Sequence, residues 1–230
     1  MKQRAEKNGE MIFVLFVLIL LLTGTTVFAT EGGGGAYPNG AENFMSGALP
    51  PAGTYFLDYL TYYSADKYMD KDGNSIIPDF KVRAVANGFR FLHMTNQQVL
   101  GGTWGMHVFI PFAYMDVTLL GKTQHKAGLA DIVIDPFVLA WHTKNFHYAV
   151  ALETFVPTGA YNKNDIANLG TNHWTFEPVF AITYLSDGDF EASVKLHYDY
   201  PKRPAGPAPG GSPPGHPALR DIQPSHYKCA

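Results

Sequence analysis

The feature that most constrains this chain is a two-residue apolar period that recurs through its second half. Over residues 190–200, Phe190, Ala192, Val194, Leu196, Tyr198 and Tyr200 fall on one face, and Glu191, Ser193, Lys195, His197 and Asp199 on the other. Residues 173–184 repeat the pattern, with Trp174, Phe176, Pro178, Phe180, Ile182 and Tyr184 opposite His173, Thr175, Glu177, Val179, Ala181 and Thr183. Residues 146–156 set Phe146, Tyr148, Val150, Leu152 and Val156 against His147, Ala149, Ala151 and Glu153. Successive side chains of a strand point to opposite faces, so this period predicts strands rather than amphipathic helices. Four noisier segments, 53–65, 81–95, 103–119 and 130–143, raise the count to about seven. In the last of these, Ile132 and Ile134 alternate with Asp131 and Asp135 until the phase slips at Pro136, after which Phe137, Leu139 and Trp141 take the apolar face. A one-residue slip beside a proline predicts a β-bulge.

The connections add a second constraint. Long ones at 66–80, 120–129 and 158–172 alternate with shorter ones at 96–102, 144–145 and 185–189, the last containing Asp187-Gly188, a hairpin signal. Outer-membrane barrels have this form, with short turns at the periplasmic end and long loops outside. Apolar/polar alternation is shared with soluble sandwiches, so it does not choose between them. The aromatics do more. Trp104, Tyr114, Trp141, Tyr148, Trp174, Tyr184 and Tyr198, with Tyr55, Tyr59, Tyr62, Tyr63 and Tyr200, lie mostly near strand ends. Interfacial girdles place Trp and Tyr there, because the rings are apolar and their tips are polar. The expected fold is therefore all-β: an antiparallel transmembrane β-barrel of outer-membrane type. It is expected to be incomplete, because about seven strands fall short of the even numbers, from eight upward, of bacterial single-chain barrels.

Composition narrows the function. Charged residues make up 16% of the 230, against about 25% in an ordinary soluble domain. The net charge of −3 argues against a nucleic-acid binder. The single cysteine, Cys229, excludes an intrachain disulfide framework and a cysteine-based zinc site.

The two ends differ from the strands. Lys2, Arg4 and Lys7 precede the apolar run 11–22, and Val27-Phe28-Ala29 follows, which predicts a secretory signal peptide over 1–29 with cleavage near Ala29. The apolar run is too short to cross a bilayer as a helix. Residues 30–52 contain Gly32-Gly33-Gly34-Gly35 and Leu49-Pro50-Pro51 and read as a flexible leader or a partial plug of the lumen. The strands are expected over 53–200. Residues 201–230 hold half of the 16 prolines and read as a Pro/Gly-rich disordered tail, frameshift-derived or otherwise foreign to the barrel, unable to join a sheet.

Several stretches resemble a known family. Ala36-Tyr37-Pro38-Asn39-Gly40-Ala41-Glu42 and Ala48-Leu49-Pro50-Pro51-Ala52-Gly53-Thr54-Tyr55 look like the start of mature proteins of the meta-pathway phenol-degradation family, the SphA-like outer-membrane proteins. Gly128-Leu129-Ala130-Asp131-Ile132-Val133-Ile134-Asp135-Pro136 with Trp141-His142 is similar to its central stretch. Residues 151–161 and 172–178 also match, and the likeness is expected to run from about 36 to 200. The resemblance implies a Gram-negative outer-membrane barrel for passive uptake of small hydrophobic or aromatic compounds, linked to aromatic catabolism, with no ring-cleaving activity of its own. Its implied partners are outer-membrane lipid, such solutes, and the export and barrel-assembly machinery, but not nucleic acid.

No cluster of catalytic residues stands out. The nine histidines include no His-x3-His and no His-Glu-x-x-His, and the chain has no nucleophile elbow, P-loop or dinucleotide fingerprint. The expectation is no catalytic residues, no cofactor and no metal. Asp131, Asp135, Glu153, Glu177, Glu191 and Lys195 recur on the less apolar faces and are candidates for lining the lumen. Two alternatives stay open: a secreted or periplasmic β-sandwich that binds a ligand, and a barrel enzyme acting on lipids.

Overall fold

The computed structural model describes residue 42 and residues 44–70, 72–188 and 190–202. The predicted signal peptide, residues 30–41 of the leader and residues 203–230 of the tail lie outside these. Nine strands form one antiparallel sheet: β1 (Gly53–Ala65), β2 (Lys81–Val99), β3 (Gly102–Leu119), β4 (Lys122–Leu129), β5 (Ile132–His142), β6 (Phe146–Val156), β7 (Trp174–Leu185), β8 (Glu191–His197) and β9 (Tyr200–Lys202). Their order is β1-β2-β3-β5-β6-β7-β8. β4 pairs with the far end of β3, and β9 with the far end of β7. β4 and β5 thus form one row of the sheet and β8 and β9 another, giving seven rows. No helix occurs among the described residues.

The expected bulge is present. The register between β5 and β6 shifts between Ile134 and Leu139, and that between β3 and β5 shifts between Gly105 and His107. Pro136 has no N–H for a ladder, and Asp135 Oδ1 accepts the Phe137 N–H at 2.9 Å, which satisfies the backbone where pairing lapses.

Four expectations need correction. Residues 122–129 are not a loop but strand β4, joined to β3 by a two-residue turn at Leu120 (φ 49°) and Gly121 (φ 75°). Polar and charged residues such as Lys122, Gln124, His125 and Lys126 had hidden it. The same applies at 96–102, where β2 runs on to Val99 and turns at Leu100 (φ 53°) and Gly101 (φ 79°). Alternation of long and short connections therefore fails in length, although 66–80, the β3–β4 turn and 157–173 all lie at one end of the sheet. Finally, the ladder does not stop at Tyr200: Thr175 pairs with Pro201 and Trp174 with Lys202. The proline sits in the last row of the sheet, where an N–H is dispensable.

The sheet curls. Five strand spacings separate β2 from β8 in the sheet order, about 24 Å if it were flat. Yet Arg90 of β2 and Lys195 of β8 both hold the carboxylate of Glu42. The concave side collects His107, Asp135, Glu153, Thr175, Glu177 and Thr183, all buried. The convex side shows Phe56, Leu60, Phe91, Phe112, Ile134, Leu152, Phe176, Val194 and Leu196, all exposed. This inversion, with charges inside and large apolar groups outside, is the half-built wall of a transmembrane barrel.

Candidate functional site on the concave face

Side-chain parity brings one inward-facing charged or imidazole group from nearly every row into a band across the concave face. β2 supplies Arg90, β3 His107, β5 Asp135, β6 Glu153, β7 Glu177, and β8 Lys195 and His197. Register aligns them: His107 is opposite Asp135, and Glu153 opposite Glu177. His107 Nε2 lies 3.6 Å from Asp135 Oδ2 and 3.7 Å from Glu153 Oε1. His197 Nδ1 lies 3.3 Å from Glu177 Oε2. Arg90 and Lys195 set two fixed positive charges beside the four carboxyl groups of Glu42, Asp135, Glu153 and Glu177.

The segment ahead of β1 crosses this face. The Glu42 carboxylate pairs with Arg90, accepts from Lys195 Nζ at 3.0 Å, and accepts the Tyr59 hydroxyl at 3.1 Å. Burial alone would raise the Glu42 carboxyl, but the Arg90 and Lys195 charges outweigh it and hold it down at about 2. Further along, the Met45 N–H donates to Glu191 Oε1 and the Gly47 N–H to Thr183 Oγ1 at 2.9 Å. Gly47 lies so close to the sheet that a Cβ there would meet the His147 carbonyl oxygen at 2.7 Å and the Thr183 nitrogen at 2.9 Å. Only glycine allows that approach. Leu49 then packs with Tyr55 on Leu92, Met94 and Ala140.

Of the residues expected to line a lumen, Asp135, Glu153, Glu177 and Lys195 meet in this band, and Glu191 sits at its edge, holding Met45 N–H and Ser193 Oγ (2.7 Å). Asp131 stands apart. It clamps the loop 157–173 by accepting the Gly159 N–H at 2.9 Å, the Thr171 N–H at 2.7 Å and the Thr171 hydroxyl at 2.8 Å. Among the aromatics, Tyr59 faces inward on Glu42, and Tyr55 faces inward with its hydroxyl on the Pro51 carbonyl at 2.9 Å. Trp104, Tyr114, Trp141, Tyr148, Trp174, Tyr184 and Tyr198 take outward parity. Trp104, Trp141, Tyr148 and Tyr184 gather at the short-turn end, where Trp141 Nε1 donates to the Leu100 carbonyl at 3.2 Å and Trp104 Nε1 to that of Pro136 at 3.0 Å. Trp174 and Tyr114 stand toward the other end.

Glu42, Arg90, His107 and His197 did not emerge from the sequence as site residues. His107 and Arg90 lie in segments whose inward positions also carry Phe109 and Met115, which blurs the period. A usable signal for Arg90 was its charge between Phe89 and Phe91 in the middle of β2.

A single curled antiparallel sheet with this polarity defines an outer-membrane β-barrel protein. The chain belongs to the family described as "Putative MetA-pathway of phenol degradation", whose pattern it matches over residues 65–210. That match begins later than the expected likeness at 36 and passes beyond Tyr200. The fold is similar to that of an outer membrane channel from Pseudomonas putida F1, with TM-score 0.60 and 20% identity over 73% of this chain and 61% of that one. The chain thus spans about three-fifths of that channel's length. No curated protein gives a match.

Proposed function

We propose that the chain works in the outer membrane of a Gram-negative bacterium as a channel for passive uptake of small hydrophobic or aromatic solutes, in support of aromatic catabolism. The observation that carries this reading is the inverted polarity of the sheet. Its convex face is apolar on row after row, as lipid requires, and its concave face holds buried charges. No second sheet covers the convex face among the described residues, which disfavours a soluble sandwich. Likeness in fold to an outer membrane channel supports the same reading.

In this reading residues 1–29 direct export and are removed near Ala29, and the assembly machinery inserts the strands. Asp135, Glu153, Glu177, Glu191 and Lys195 line the lumen, and the outward Trp and Tyr residues mark the two interfaces. The segment through Glu42, Met45, Gly47 and Leu49 acts as a partial plug that narrows the passage. Solutes then cross by diffusion, and no bond needs to be made or broken.

The test is fractionation of cells expressing the chain, followed by solute flux into vesicles holding the purified protein. Outer-membrane recovery, migration that changes on boiling, and faster entry of phenol-sized aromatics than of sugars are expected. Recovery as a soluble periplasmic protein, or no flux above protein-free vesicles, would overturn the proposal.

A further inference from the structure

His107, Asp135 and Glu153 form a compact three-ligand cluster that a channel lining does not require. Their side chains come from three adjacent rows, β3, β5 and β6, and are only 2%, 0% and 7% exposed. One ligand atom from each lies within 4.8 Å of the others. Buried polar groups in folded proteins almost always find a hydrogen-bond partner. Here both ring nitrogens of His107 and Oδ2 of Asp135 have none among the described residues.

The distances explain why. At 3.6 and 3.7 Å, the His107 Nε2 separations from Asp135 Oδ2 and Glu153 Oε1 are too long for hydrogen bonds. They are close to the roughly 3.4 Å between ligand atoms of a tetrahedral ion with bonds of about 2.0–2.1 Å.

We infer that His107 Nε2, Asp135 Oδ2 and Glu153 Oε1 bind one divalent first-row transition cation, Zn²⁺ foremost, on the concave face. An imidazole with two carboxylates is a donor set suited to such ions. The bulge at Pro136 prepares the site: Asp135 Oδ1 is held by the Phe137 N–H, so Oδ2 is the oxygen turned toward His107. The ion cross-links three strands where the ladder between them is interrupted. The inference rests on the geometry of this face and is independent of the channel reading.

The experiment uses the full chain refolded in detergent micelles and freed of metal by a chelator. Co²⁺ is added as a spectroscopic probe, and Zn²⁺ as its competitor. The expected result is one Co²⁺ per chain with visible d–d absorption of low-symmetry coordination, displaced by equimolar Zn²⁺. His107→Gln should abolish it, and Glu153→Gln and Asp135→Asn should each weaken binding on the order of 100-fold. Migration that changes on boiling verifies folding, and the two amide variants keep shape should His107→Gln fail to fold. His142→Gln, at a histidine whose Nδ1 lies 2.9 Å from that of His147 near a turn, should leave the spectrum unchanged. Absence of stoichiometric absorption in the parent chain would overturn the inference. So would a signal that survives Glu153→Gln and Asp135→Asn but is lost in His142→Gln, or in His197→Gln at the neighbouring Glu177–His197–Asp199 cluster.

Discussion

Lys195 Nζ donates to Glu42 Oε2 at 3.0 Å across 153 positions of sequence, and the same carboxylate pairs with Arg90. One acidic side chain from outside the sheet thus joins its second row to its last. A carboxylate that neutralises two partly buried cations is costly to remove, because each cation then loses a close counter-charge. Glu42→Gln is expected to lower unfolding free energy by about 3 kcal/mol, read from urea titration of the refolded chain. In vesicles it should also raise solute flux, since the segment it anchors is the proposed plug.

The same residue sets an acid dependence. Glu42 is held at about 2 in the folded chain, below its ordinary 4.5. A carboxyl depressed on folding contributes stability that is fully present above the unfolded value and is lost as pH falls toward the folded one. The stability difference between the parent chain and Glu42→Gln should be constant above pH 4.5 and shrink between 4.5 and 2. A difference that stays constant down to pH 2 would show that the pair contributes no such term.

Asp131 makes three hydrogen bonds to Gly159 and Thr171, and Thr158 Oγ1 adds one by donating to the Ala130 carbonyl at 2.9 Å. Removing a charged acceptor leaves two backbone donors to be satisfied by water, at about 1–3 kcal/mol locally. Asp131→Ala should therefore speed proteolytic cleavage within 157–173 about tenfold. The unfolding midpoint of the whole sheet should change little.

Leu120 holds a left-handed conformation, φ 49°, that a side chain branched beyond Cβ tolerates poorly and asparagine accepts. The turn it shares with Gly121 has the φ signs that favour Asn-Gly. Leu120→Asn should stabilise the chain by about 1 kcal/mol and remove an exposed apolar side chain from the turn. Denaturant titration of both proteins decides the sign.

Outward residues should respond to charge as lipid-facing ones do. Leu152→Arg, in the middle of β6, is expected to cost about 2–4 kcal/mol for folding into lipid vesicles. Ala151→Ser, next door on the concave face, should cost less than about 1 kcal/mol. Equal costs at the two positions would mean that the convex face does not meet lipid.

Strand positions and polarity were legible because they are local. The clean period of 146–156, 173–184 and 190–200 placed β6, β7 and β8 within a few residues, and the phase slip at Pro136 located the bulge. Lys122, Gln124 and Lys126 hid β4, because a polar hairpin arm loses the apolar alternation by which a strand is recognised. Part of the site was legible for the same reason: Glu153, Glu177 and Lys195 sit on strands whose parity is unambiguous.

The sequence by itself determined that alternate residues would separate into an apolar face and a polar one, since backbone geometry alone turns a period of two into two faces. Only the tertiary structure decided which polar residues meet. The bulge and the curl bring His107 to Asp135 and Glu153, and Glu42 to Arg90 and Lys195, across separations that no spacing rule encodes. Those meetings depend on register and curvature, which many weak pairings along the whole sheet set together.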